Sequence, residues 1–90
     1  GHTITAYGDQ LPSGADYWAT GGYDSESEAR KAWRSSGGGR LSQGQTFEHE
    51  FTVPGTHSYV CIPHEQSGMA GVVTVTEDAE TTGTVAETTE

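Results

Sequence analysis

A single cysteine, Cys61, is the most consequential scarcity in this 90-residue chain. It excludes an internal disulfide and any centre needing two thiolates, including four-cysteine zinc sites and binuclear copper sites. Positive charge is also scarce. Lys31, Arg30, Arg34 and Arg40 stand against 13 acids, for a net charge of −9. Binding to phosphate backbones needs a positive footprint, so nucleic acid and anionic membrane surfaces are poor partners. No apolar run approaches the roughly 18 residues of a membrane-spanning helix. No basic segment followed by an apolar stretch marks a signal peptide. Large apolar residues are few as well: the hydrophobic set is 31%, beside 13 glycines that fill no core. The length allows one small domain with a thin interior. One lysine amid many acids also fits adaptation to high salt.

What is present divides at residue 76. Residues 77–90 carry five acids, no base and one large apolar side chain, Val85. Such a segment does not offset its own ordering entropy, so it is expected to be a disordered acidic tail or linker. Within residues 1–76, residues 1–7 alternate, with His2, Ile4 and Ala6 on one face. Residues 46–53 put Phe47, His49, Phe51 and Val53 on one side, and Pro54-Gly55 then turns the chain into a short strand over 56–61. The β-branched run at 71–76 reads as a buried strand. One helix is expected after Asp24 or Ser25, where Ser25 and Glu28 have capping-box spacing and Ala29, Ala32 and Trp33 form one stripe. Arg30, Lys31 and Arg34 suit its C-terminal dipole, and Gly37–Gly39 ends it. Residues 8–22 read as loop, anchored by Leu11, Tyr17 and Trp18. The class is all-β with a small helical insertion, a sandwich.

Chemistry concentrates between the last two of these strands. Cys61, His64 and Met69 follow C-x2-H-x4-M spacing on one tight loop. A thiolate, an imidazole and a thioether make a soft ligand set. Zinc rarely recruits methionine, whereas two histidines, a cysteine and a weak axial methionine define the type 1 (blue) copper environment. A second imidazole must come from elsewhere, and His2, His49 and His57 are the candidates. Pro63 removes a backbone donor near the thiolate. Gly68 permits the turn before Met69, and Gly71 lets the chain re-enter a sheet close beside its neighbour. Each residue also has a plainer reading. A lone cysteine is often a small buried hydrophobe, and Met69 can fill a core. His49 can rest against the Phe47/Phe51 face, His57 after its turn reads as exposed, and His2 near a terminus reads as solvated. Trp18, Trp33, Tyr17, Tyr23 and Tyr59 read as packing residues, and the acids of 24–28 as a helix N-terminus.

The run Cys-Ile-Pro-His-Glu-Gln-Ser-Gly-Met-Ala-Gly-Val-Val-Thr-Val at 61–75, with Phe-Thr-Val-Pro-Gly-Thr at 51–56, resembles a known family. Residues 1–76 resemble the C-terminal two-thirds of a plastocyanin-like cupredoxin, in particular the haloarchaeal halocyanins. His-Thr-Ile-Thr-Ala-Tyr at 2–7 is similar to the family strand that opens with the first histidine ligand, and Leu-Pro-Ser-Gly-Ala-Asp at 11–16 continues the likeness. The resemblance implies a Greek-key β-sandwich of cupredoxin type, binding one type 1 copper per chain through His2, Cys61, His64 and Met69. Two departures stand out. The family has further strands before that first histidine, so the chain is expected to be truncated, lacking the first strands. Thr3 also stands where plastocyanins usually carry an asparagine that ties the ligand loops together.

The function implied is one-electron transfer rather than enzymatic turnover, through the His64 edge. An apolar rim of Ala6, Leu11 and Ala70 would meet redox partner proteins of membrane electron-transport complexes. The setting implied is extracytoplasmic, on or near the outer face of the membrane, as a monomer. Two rivals remain at this point: a cupredoxin domain of a larger copper redox enzyme, and a copper delivery or storage protein. Val60 and Ile62 flank Cys61 where multicopper oxidases carry histidines leading to a second cluster. Storage would favour several thiols or thioethers, and this chain has one cysteine and one methionine.

Overall fold

A computed structural model of the protein describes residues 1–76 and the backbone of 81–86. Helix α1 spans Glu26–Ser36. Ser25, in extended backbone, accepts the Glu28 N–H on its side-chain oxygen at 3.1 Å, which satisfies one of the helix's orphan donors. Gly37 closes the helix in the left-handed conformation, its N–H bonded to the Ala32 and Trp33 carbonyls. Ala29 is buried, and the Arg40 guanidinium lies 5.3 Å from the centre of the half-buried Trp33 ring.

Among the described residues there are five strands, β1 (Thr5–Ala6), β2 (Thr46–Phe51), β3 (Gly55–Val60), β4 (Ala70–Val75) and β5 (Thr81–Ala86), of which the first four follow the expected run positions with shifted ends. The order β1-β3-β4 makes one antiparallel sheet, and β2-β5 makes the other. The alternation of residues 1–7 yields only a two-residue strand because the segment changes partners as it runs. His2 exchanges both backbone bonds with Leu41, at 3.0 and 2.6 Å. The Thr20 N–H then reaches the Ile4 carbonyl, and the Ala6 N–H reaches Trp18. The segment is thus stitched to three different places in the chain.

Residues 81–86 depart from the expected disorder. They pair along the whole of β2, from Thr46 opposite Ala86 to Phe51 opposite Thr81. Composition argued against order there, but Thr and Val favour strands and β2 presents an edge to pair with. Residues 77–80 and 87–90, which also belong to the expected tail, lie outside the described residues.

The core is small. Ile4, Ala6, Trp18, Leu41, Phe51 and Val75 form it, with Leu11, Tyr17, Phe47, Tyr59 and Val73 packed against it. Trp18 stands edge-on to Phe51 with ring centres 5.3 Å apart, the favoured aromatic geometry. His49 stacks on the same indole at 5.3 Å, as its strand position implies. His57 does not follow expectation: it is 2% exposed. Strand β3 is already under way at position 57 and turns that side chain inward. There it packs against Phe51, and its Nε2 donates to the Val53 carbonyl at 3.0 Å.

Candidate metal centre

The loop joining β3 to β4 is built so that its two ends meet. Pro63 sits in the first turn of a 3-10 segment, Ile62–Ser67, where a missing N–H costs nothing. His64 leaves the helical path (φ −119°, ψ 17°), and Gly68, at φ 84°, reverses the chain into Met69. Backbone bonds then close the loop. The Cys61 N–H donates to the Met69 carbonyl at 2.9 Å, His64 N–H to Cys61 at 3.1 Å, and Met69 N–H to His64 at 3.3 Å. The backbones of all three loop residues singled out from the sequence are therefore bonded to one another. Where β4 begins, a side chain at Gly71 would meet the Tyr59 hydroxyl at 2.7 Å, which is the close approach its glycine allows.

The opposite wall is the first segment of the chain. Held by Leu41, His2 lies against His64 with ring centres 4.8 Å apart. Both rings turn Nδ1 toward the buried Cys61 sulfur, at 3.6 Å for His2 and 3.4 Å for His64. The three donor atoms lie within 4.8 Å of one another, and Met69 completes a His–Cys–His–Met arrangement like that of a type 1 copper site. The two sulfur–nitrogen spacings suit an ion: bonds of about 2.0–2.3 Å at a near-tetrahedral angle place donors about 3.5 Å apart. Of the three histidines left open as the distant ligand, the fold brings His2 to the sulfur. His49 and His57 pack around Phe51 instead.

Thr3 performs the tie that its departure from the family pattern put in question. Its N–H points at the Cys61 sulfur at 3.5 Å, and its Oγ1 accepts the Ile62 N–H at 2.9 Å. Thr5 donates its hydroxyl to the same Oγ1 at 2.9 Å. Sequence reasoning missed a second set of residues around Glu65, the neighbour of His64. Arg30 grips both Glu65 carboxylate oxygens, Nη1 at 2.8 Å and Nη2 at 3.1 Å, while its Nε donates to Glu26 at 2.7 Å. Tyr7 adds its hydroxyl to Glu65 at 3.0 Å, and Glu26 also accepts the Gly8 N–H at 2.8 Å. The Arg30 hydrogen bond holds the Glu65 carboxyl below the ordinary glutamate range. Burial, then the bond to Glu65, raises the Tyr7 phenol. In the sequence Arg30 reads as a helix-dipole partner. Only its i,i+4 spacing from Glu26 signalled a more specific use. The expected apolar rim also needs correction: Ala6 is fully buried at the start of the core, leaving half-buried Leu11 and exposed Ala70.

Residues 1–76 match the family described as copper binding proteins, plastocyanin/azurin family. The chain belongs to that family. This family member is 35% identical over 74 residues to the major isoform of chloroplastic plastocyanin from Arabidopsis thaliana, covering 82% of the chain and 37% of that protein. It is 32% identical over 74 residues to plastocyanin from Capsella bursa-pastoris, covering 82% of the chain and 63% of that protein. A shorter stretch of 32 residues is 53% identical to chloroplastic plastocyanin from Oryza sativa subsp. indica. The chain thus spans less than two-thirds of the first two relatives. No solved structure gave a significant match. This plastocyanin/azurin member has, among the described residues, the all-β class with one α-helix that the pattern of its residues predicts, and copper is the metal its family binds. Among the described residues, no helix is long and apolar enough to cross a membrane.

Proposed function

We propose that this chain is a type 1 copper electron carrier, holding one copper through His2, Cys61, His64 and Met69 and performing no enzymatic turnover. The observation that carries this reading is the convergence of two Nδ1 atoms on one buried cysteine sulfur, with Met69 bonded back to the same loop. When bound, copper supplies a one-electron couple between Cu(I) and Cu(II). The chain's task is to keep the donors in one geometry through that change. Its means are the closed backbone of 61–69 and the Thr3 tie from the opposite wall. The Thr3 N–H is also directed at the Cys61 sulfur, at 3.5 Å.

His64 sits on the half-buried surface loop and offers the shortest route for electrons between the site and a partner. Redox partner proteins would dock there transiently, through a small interface. The finer assignment is a halocyanin-like member working outside the cytoplasm as a monomer, at the outer face of a membrane, with its electron-transport complexes as partners. The surplus of acids over bases and the single lysine support the halophilic setting. In an oxidising compartment a lone thiol is a liability unless a metal occupies it, a condition the copper reading meets. The apolar neighbours Val60 and Ile62 weigh against a domain wired to a second copper cluster.

Titrating the reduced, metal-free protein with Cu(II) tests this. An intense thiolate-to-copper band in the visible spectrum is expected, with the matching EPR signal, both lost in Cys61→Ser and altered in His2→Ala. Colourless stoichiometric zinc binding in preference to copper would overturn the reading.

A further inference from the structure

We propose that Arg30 is a positioning residue for the metal centre: its two-pronged grip on Glu65 braces the His64 end of the ligand loop, making helix α1 an outer support of the site. This deepens the copper reading above and rests on it. Three separate segments meet at the Glu65 carboxylate: the ligand loop that carries it, helix α1 through Arg30, and the end of the first segment through Tyr7. The ion pair is partly shielded, with the two side chains 24% and 37% exposed. Arg30 is itself fixed from behind by Glu26, one helical turn earlier, and Glu26 in turn holds the Gly8 N–H. A guanidinium locked on both sides in planar geometry restricts position as well as charge.

The loop needs such a hold from outside. Around His64 its backbone is bonded to Cys61 at 3.1 Å, to Met69 at a long 3.3 Å and to the Gly68 N–H, and the 3-10 path breaks at that residue. Cys61 is anchored by β3 and by Thr3, and Met69 leads directly into β4. His64 has neither a strand nor a threonine tie, so its neighbour Glu65 supplies the tether. Nothing in the local motif demands Arg30, which lies 35 residues away in sequence. The pair is therefore a device of this chain's helical insertion.

The test compares Arg30→Ala, Arg30→Lys, Glu65→Gln and the Arg30→Ala/Glu65→Gln double variant with wild type, with Lys31→Ala as a helix control. Two readouts are used: Cu(II) affinity with the visible and EPR spectra, and amide hydrogen exchange of residues 64–69 in the metal-free protein. Arg30→Ala is expected to weaken Cu(II) binding about 10-fold, the loss usual for a group supporting a metal ligand, and to change the spectrum. It should also speed loop exchange while leaving β3 protection intact. Arg30→Lys keeps the charge without the fork and should restore little. The double variant should lose no more than Arg30→Ala alone, since both changes break one contact. Wild-type affinity, spectrum and loop exchange in folded Arg30→Ala would overturn the proposal, as would the same losses in Lys31→Ala. If Arg30→Ala fails to fold, Arg30→Lys and Glu65→Gln decide by the same readouts. If wild type takes no copper, the copper reading fails, and loop exchange in the metal-free protein still decides whether Arg30 braces the loop.

Discussion

Thr3 does with one short side chain and one N–H what a longer amide would do in its place. Its Oγ1 accepts from Ile62 while its backbone addresses the Cys61 sulfur, so the two walls of the site are joined within a single residue. Replacing it with valine preserves shape and removes the acceptor, leaving the partly buried Ile62 N–H and the Thr5 hydroxyl to find other partners. Thr3→Val is expected to cost about 1–2 kcal/mol in denaturant unfolding of the metal-free protein. It should also shift the thiolate-to-copper band without abolishing it. Of the proposed ligand set, Cys61, His64 and Met69 were legible because they share one loop and a soft-metal spacing. His2 was not, on its own residues. It lies 59 positions from the cysteine, and pattern alone ranks it no higher than His49 or His57. What separates the three is where each segment is stitched: Leu41 holds His2 beside the sulfur, while β2 and β3 commit the others to Phe51.

At the scale of elements, the cap at Ser25 and the stop at Gly37 were readable because they are local chemistry, satisfied within one turn. Strand β5 was not, since a polar Thr-rich segment acquires order only from the edge it pairs with. The junction of β3 and β4 carries a sharper consequence. Tyr59 lies opposite Gly71, and its hydroxyl occupies the space a side chain would fill. Gly71→Ala should therefore force the Tyr59 ring aside and destabilise the fold by about 1–3 kcal/mol, the range for overpacking a tight contact. Because β4 starts beside Met69, the same variant should also perturb the copper spectrum. The partner change Tyr59→Phe withdraws the oxygen but keeps the ring carbon that would lie 2.8 Å from the new Cβ, so it should recover only a small part of the loss. A Gly71→Ala protein as stable as wild type would mean that the two strands are not held this closely.

Across the whole molecule, the core is thin enough that histidines serve as packing material far from the metal centre. His49 is stacked on Trp18 and set edge-on to Phe51, where burial, and next the nearby His57, lower its pKa. An imidazole in the unfolded chain titrates near about 6.5. The folded protein binds that proton less readily, so between the lowered value and the unfolded value the unfolded state carries more protons. Stability then rises with pH across this window and is lost as pH falls below the unfolded value, down to the folded one. His49→Phe keeps a ring against Trp18 and removes the titration. Urea unfolding of the metal-free protein in a series from pH 7.5 to 5 is expected to show wild type losing more stability than His49→Phe. The difference in slope between the two proteins therefore reports position 49 together with its coupling to His57. Parallel slopes would place His49 in a solvated environment and would remove its ring from the packing around Trp18.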